Sequence, residues 1–466
     1  MKIFLTNEHL LKYLLLVFVF LIFLVFFIDQ DFGWHLAMGE RFLETGEILR
    51  TDIFSFSMPG YSWGNSYFLY QAVIALLYKF LGYKFLVILF AAIPTSAVFL
   101  LLKRVDLIKF AAILLGAKLA ITNLAVKPHT VSFMFFAVLI LFLEKQFYVK
   151  KRHVLLWFAL FVLWANVHRA FAVGLVVFFF YLTVDYLYKR SFIKKTNIVI
   201  PVYCVLAALL GTFLTPFGLD LYKSGVANDF LTFENLRYIA EWQPVVVYFP
   251  NNIYFLASGI IFIYIFLTNA KKQSPAWFLI GAFLFSLAFI SANFVFFWCA
   301  LFIFIASKYL SSGIKNRLAE RIVFVLGLGF VVIICLTIGL KIKTNVMSSP
   351  GLMLDKSGYP VEAVKYMREN SLRSNLLAQY NWGGFIDWQY PQAKIFIDGR
   401  MAGWKTPEGK SILGAYIDLK SGKCDSLKVY RVETLLVSKA FDLSCFGNFR
   451  EVYRDDRAKV LVKRED

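Results

Sequence analysis

Apolar runs of spanning length follow one another, separated by short polar breaks, from about residue 10 to about residue 341. About 20 apolar residues cross ~30 Å of hydrocarbon. On that measure the pattern predicts spans near 10–28, 84–101, 108–125, 130–146, 153–166, 170–186, 197–213, 252–269, 275–291, 294–310 and 320–341. The first run has no small-residue cleavage site and the chain behind it stays hydrophobic, so it reads as a retained span and not a signal peptide. The stretch 67–85 is rich in Tyr and interrupted by Lys79 and Gly82, which suits a helix lying in the membrane interface.

The breaks set the orientation. "EKQFYVKKRH", "YLYKRSFIKK", "NAKKQ" and "IKNRLAER" carry the Lys and Arg expected of cytoplasmic loops. The breaks "KPH", "NVHRAF" and the long one from "TPFGLDLY" to "EWQPV" then fall outside. The expected topology is a multi-pass plasma (inner) membrane protein with about eleven spans and a cytoplasmic N-terminus.

Beyond about residue 343 the pattern changes. Charge becomes frequent, "AKIFIDGR", "VETLLVSKAF" and "AKVLVKRED" read as short strands, and "PVEAVKYMREN" reads as a helix with Pro360 in its first turn. The fold class is therefore mostly α: a polytopic transmembrane helical bundle over 1–342, with a first external loop at 29–66. A small extracytoplasmic α/β domain follows over 343–466.

Composition agrees, since 59% of residues are hydrophobic and Phe alone fills 52 positions, more apolar surface than a soluble domain needs. The formal charge of +19 does not imply nucleic acid, because the basic segments are short and flanked by apolar runs. Cys204, Cys299 and Cys335 lie in apolar runs as core thiols, and no CxxC or CxxH spacing suggests zinc. Cys424 and Cys445, the only tail cysteines, flank "VETLLVSK" and are the disulfide candidates in an external tail.

The candidate chemistry starts where the first span ends. "FFIDQDFGWHLAMGERF" places Asp29, Asp31, Trp34 and His35 together, and Asp52, Trp63 and Asn65 follow in the same loop. That loop is longer than a connector needs. A carboxylate at the bilayer surface can activate an acceptor hydroxyl, and negative charge favours an oxocarbenium-like transition state. A lipid-phosphate leaving group needs positive charge at the same surface, and Lys127, His129, His168 and Arg169 lie in the two short external breaks. Glu241 beside Trp242 has the acid–aromatic pairing that holds a sugar. Lys118 lies within an apolar run and is marked as functional or paired within the bundle. In "YNWGGFIDW" and "IFIDGR" the glycines predict strand–turn–strand, and Asp398 and Arg400 either pair with each other or line a face that caps the membrane site.

The pattern "DxDxxWHLxxGExxLxxGxxxxxDxFSFS" over residues 29–57, followed by Gly and Trp, resembles the first external loop of polytopic glycosyltransferases of the C superfamily (GT-C). "KPH", "WANVHRAF", "TPFGLDLY", "IAEWQP" and "YNWGGFIDWQYP" add weaker echoes. The resemblance implies sugar transfer from a polyprenyl-phosphate carrier in the bilayer to an external glycan, lipid or protein acceptor. It places Asp31 at the reaction centre, with Asp29 as the alternative; the residues themselves add His35 as a base and Trp34 as an aromatic platform beside them, with Asp52 as a further substrate-side candidate. No cofactor is implied with certainty, though a divalent cation is compatible. The second external break offers Lys127 and His129 but no acid. A second carboxylate would come from Asp52, Asp220, Asp229, Glu234 or Glu241. Two other readings are a lipid-linked glycan flippase and a non-catalytic membrane protein with a binding tail. Flippases show repeated, broken spans, and no such symmetry is visible.

Overall fold

The computed structural model describes residues 8–192, 198–226, 237–269, 274–310 and 350–464, with the single positions 329 and 336. The chain forms two compact units that are not successive segments. One contains Met1–Phe26, Lys84–Thr215 and Leu236–Met347; the other contains Phe27–Tyr83, Pro216–Asn235 and Ser348–Asp466. Composition reads only along the chain, so it registers the change near residue 343 and not the grouping of residues 27–83 with the tail.

Helices occupy each predicted span within the described residues. α1 is Glu8–Phe23, α2 (Phe32–Thr45) follows it, and α3 runs Phe68–Leu101. α4 (Leu107–Ala120), α5 (Pro128–Glu144), α6 (His153–Val167), α7 (Phe171–Phe192) and α8 (Val199–Phe213) come next. α9 (Asn251–Asn269), α10 (Pro275–Ile290) and α11 (Val295–Tyr309) complete the series. The expected span at 320–341 lies outside the described residues, as does Cys335.

Among the described residues, four helical stretches are long and apolar enough to cross a membrane, at Phe68–Leu101, Phe171–Arg190, Asn251–Asn269 and Ala292–Tyr309. The chain is a membrane protein on that ground. Four shorter apolar helices accompany them. α11 is apolar on all sides and buried from Val295 through Ser307, as a central helix must be.

α3 leaves helical geometry at Gly82 (φ 71°, ψ 174°), a conformation that glycine adopts without steric cost. The piece before the break belongs to the unit with the tail, and the piece from Lys84 to the other.

In the tail, α12 (Pro350–Lys356) and α13 (Val361–Glu369) precede a four-stranded sheet. Its strands are β1 (Leu376–Ala378), β2 (Thr434–Ser438), β3 (Phe449–Arg454) and β4 (Ala458–Lys463), in the order β1-β2-β4-β3. β1 pairs parallel to β2, and β4 is antiparallel to both β2 and β3. β2 and β4 fall in two of the stretches read as strands, and α13 in the one read as a helix with Pro360 at its N-cap.

The strand–turn–strand expectation for "YNWGGFIDW" and "IFIDGR" is corrected. Residues 383–389 form a helix, α14 (Gly383–Gln389), and Ile395 makes only isolated bridges to Ser55 and Leu376. Gly383 has an ordinary helical φ of −53°. It is required for space: a β-carbon there would meet the Ile397 carbonyl oxygen at 2.3 Å. Cys424 and Cys445 form a disulfide, with Cα atoms 5.3 Å apart.

Candidate functional site

Each unit gathers its own set of the candidate residues. In the unit containing the tail, the centre is Asp31, at the N-terminus of α2. Its carboxylate Oδ1 accepts from Trp34 Nε1 at 2.9 Å, and its own backbone N–H donates to Asp29 Oδ1 at 3.1 Å. The Asp29 carbonyl in turn accepts from Tyr359 Oη at 2.7 Å.

Glycines let backbone close in around it. A β-carbon at Gly33 would fall 2.2 Å from the Gly384 carbonyl oxygen, and one at Gly384 would fall 2.9 Å from Trp34 Cδ1. One at Gly399 would lie 2.1 Å from Asp31 Oδ1 and 3.2 Å from Trp34 Nε1. The "GG" and "DGR" motifs are thus the walls against which Asp31 is set. Sequence reading missed this, because a glycine signals a turn as readily as a close approach.

Asp31 is half-buried, whereas His35 is only 2% exposed. The His35 ring lies 3.5 Å from that of Trp34 and about 5 Å from Tyr67 and Tyr70, and its Nδ1 is 3.3 Å from Gln71 Nε2. Of the residues expected to act in catalysis, Asp31 and Asp29 are half-buried, whereas His35 is part of the packing beside them. Trp34, expected as a sugar platform, is instead buried and orients Asp31 by its N–H.

Asp52 is placed differently from expectation. Its carboxylate accepts from Phe54 N, Ser55 N and Ser55 Oγ, and pairs with Arg400 Nη1 at 3.0 Å, fully buried. Arg400 also pairs with Asp398, through Nε at 3.0 Å to each oxygen and through Nη2, and lies 3.7 Å from Asp387. The rings of Phe54, Trp63 and Trp404 surround the guanidinium. Asp52 therefore has no room for a substrate; it ties the first loop to the tail segment. The expected Asp398–Arg400 pair is present, but nothing along the chain marks Asp387 as its neighbour.

One cation faces three carboxylates in this cluster. Burial disfavours charge on Asp387 and the neighbouring Asp398 raises it further; Arg400 opposes this but does not win, and the Asp387 carboxyl stands well above the usual carboxylate range. Burial alone would lower Arg400, yet Asp398, Asp52 and Asp387 together hold it above its ordinary value. Burial thus favours the neutral form of Asp387.

A raised folded-state carboxyl favours folding below its unfolded value near 3.9 and loses that contribution as pH rises through the folded value. Asp387→Asn should therefore melt at or above wild type at neutral pH, with the difference shrinking toward pH ~4. A fall in melting temperature at neutral pH would show that Asp387 is ionised.

In the other unit, six candidates from three separate breaks meet. Lys127 Nζ pairs with Glu241 Oε2 at 3.4 Å, Arg169 lies 5.9 Å over the Trp242 ring, and the rings of His129 and His168 are 4.4 Å apart. Pro128 at the first position of α5 fixes where Lys127 leaves the helix. Ser132 Oγ accepts from Trp164 Nε1 at 2.8 Å and shares a hydrogen bond with His168 Nδ1, also at 2.8 Å. Burial first, then Arg169 and Lys127, hold this imidazole well below its usual range and neutral.

Ser132 was not anticipated, being a lone hydroxyl in an apolar run. Glu241 is the partner of Lys127 here, and Asp229 and Glu234 lie outside the described residues. Among the described residues no group of three or more His, Cys, Asp or Glu is arranged to hold a metal ion. The set offers cationic and neutral N–H donors around one acid, a composition suited to a phosphate.

No family model matches the chain, and no curated protein matches it by sequence. Solved structures do. The apo oligosaccharyltransferase of Archaeoglobus fulgidus superposes with a TM-score of 0.54 at 12% identity, covering 92% of this chain and 69% of that one. The oligosaccharyltransferase AglB of the same organism, in complex with an inhibitory peptide and a dolichol-phosphate, gives 0.53 at 11% identity with the same coverage. So does the form tethered through a disulfide to an acceptor peptide containing the NVT sequon. The resemblance to GT-C glycosyltransferases read from the first loop thus holds at the level of the fold: this chain has the fold of archaeal oligosaccharyltransferase.

Proposed function

We propose that the protein is a membrane glycosyltransferase that moves a sugar or glycan from a polyprenyl-phosphate carrier to an external glycan, lipid or protein acceptor. The observation that carries the reading is Asp31, a half-buried carboxylate oriented by Trp34 and backed by Gly399. The fold supports it, since a structure with that fold is in complex with a dolichol-phosphate and a peptide. Asp31 serves as the base that takes the acceptor proton, or as the negative charge facing the anomeric carbon. Lys127, His129, His168 and Arg169 receive the carrier phosphate, with Arg169 suited to bidentate contact and Lys127 to a point charge. Glu241 and Trp242 hold Lys127 and Arg169 in place.

The test is transfer of labelled sugar from a polyprenyl-phosphate donor extract by the purified protein in bilayer discs, offered lipid, glycan and peptide acceptors. Transfer to at least one acceptor class is expected; none to any of them overturns the reading. Lys127→Ala and Arg169→Ala should each raise the apparent donor requirement about tenfold, the loss of one charge-assisted contact, with acceptor dependence little changed. A change confined to acceptor dependence would show that these residues do not bind the donor phosphate.

The same reading keeps about eleven spans, a cytoplasmic N-terminus, a membrane part over 1–342 and an external tail over 343–466. An external tail suits the Cys424–Cys445 disulfide. In intact cells a membrane-impermeant thiol reagent should label these two cysteines only after reduction. Labelling that requires lysis as well would place the tail in the cytoplasm.

A further inference from the structure

A cavity of about 460 Å³ opens between α7 and α8, and none of its lining residues is among those assigned to the reaction. Its walls are apolar, including Phe179, Leu187 and Leu206, which are 61%, 60% and 47% exposed. One end is polar. Tyr148 Oη donates to Asp185 Oδ2 at 2.9 Å, and Lys189 Nζ pairs with the same oxygen at 2.8 Å and reaches Tyr148 Oη at 3.4 Å. Asp185 is only 7% exposed in a helix apolar enough to span a membrane, and an ionisable group there marks a binding or transport site by default.

Donor arithmetic identifies what remains to be satisfied. The Tyr148 hydroxyl hydrogen is spent on Asp185. The Lys189 ammonium has three N–H donors, two of which are directed at Asp185 and Tyr148. The third belongs to a side chain that is 33% exposed at the head of an otherwise apolar groove. Such a site takes a molecule with a long apolar body and one anionic oxygen at its end.

We propose that this groove binds a bilayer phospholipid, with one acyl chain between α7 and α8 and its phosphodiester on Lys189. The position argues for a lipid distinct from the donor. Tyr148 lies just beyond the C-terminal end of α5, while Lys127 and His129 stand at its N-terminal end. The 17 residues of α5 span about 25 Å, close to the ~30 Å of the hydrocarbon layer. The groove therefore belongs to the leaflet opposite the one that presents a phosphate to Lys127. A volume of this size is within the range of ordinary ligand cavities, and exposed apolar walls are open to lipid.

The experiment is native mass spectrometry of the full-length protein in detergent, titrated with phosphatidylglycerol, with diacylglycerol, and with inorganic phosphate. Phosphatidylglycerol is expected to bind at a defined stoichiometry, with diacylglycerol weaker and inorganic phosphate alone not retained. Lys189→Met should weaken phosphatidylglycerol binding about tenfold. Leu206→Trp, which fills the groove and leaves the polar end intact, should abolish it, and this variant keeps the test valid if Lys189→Met fails to fold. Diacylglycerol binding equal to phosphatidylglycerol, or unchanged binding in folded Leu206→Trp, overturns the proposal. Neither readout depends on sugar transfer, so the outcome is separate from that of the proposed reaction.

Discussion

Asp31→Asn is expected to lower sugar transfer by ~10²–10⁴-fold, the usual cost of losing a general base, while the melting temperature stays near wild type. The amide keeps the shape of the carboxylate and can still accept from Trp34 Nε1, so packing is retained and only charge and basicity are lost. A second variant approaches the same atom from the other side. Gly399→Ala brings a methyl group to where Asp31 Oδ1 now lies, 2.1 Å away, and the carboxylate must turn out of its hydrogen bond with Trp34. It should lose activity without any change to an ionisable group. Both variants are measured as initial rates of labelled-sugar transfer, alongside thermal unfolding of the same preparations. Asp31→Asn activity within a few-fold of wild type would remove Asp31 from the reaction, and Asp29 would be replaced next. If Asp31→Asn is inactive and Gly399→Ala is not, Asp31 acts but is not positioned by the tail segment.

Arg400→Met is expected to destabilise the protein by about 3–5 kcal/mol, the scale for removing one partner from a buried ion cluster. The guanidinium is 1% exposed and pairs with Asp52 and Asp398 at once, while burial favours the neutral form of Asp387. Without it, buried carboxylates stand side by side and must take up protons or water. Methionine preserves much of the apolar stem against Phe54, Trp63 and Trp404, so the loss reports charge more than volume. Denaturant unfolding of the purified protein in detergent measures it. A loss below ~1 kcal/mol would show that the cluster is solvated or rearranged. Adding Asp52→Asn and Asp398→Asn to Arg400→Met should recover part of the stability, because neutral amides need no counter-charge.

Much was legible along the chain. Helix positions follow from apolar runs that exceed the length of ordinary core helices, a signal each segment carries by itself. The short apolar runs in "TLLVS" and "AKVLVK" marked two strands for the same reason. The first-loop pattern pointed to the GT-C fold because its acids, aromatics and glycines are close in sequence. The residues around Lys127 were found by their rarity, as basic groups in short breaks between apolar runs.

What required the tertiary structure were relations between distant residues. No local signal tells that Asp52 is 348 positions from the arginine it pairs with, or that Asp387 is buried beside the same arginine. Nor does one tell that Gly384 is small because Trp34 passes over it. The same limit explains the misread glycines: conformational freedom is a property of one residue, whereas close approach is a property of two segments. It also explains Trp34 and His35, whose types suit a sugar site but whose burial was decided by Tyr67, Tyr70 and Gln71 packing onto them. The sequence by itself determined which residues were chemically able to act. Burial and charge pairing, which depend on what the fold brings within a few ångströms, left Asp31 half-buried and enclosed Asp52.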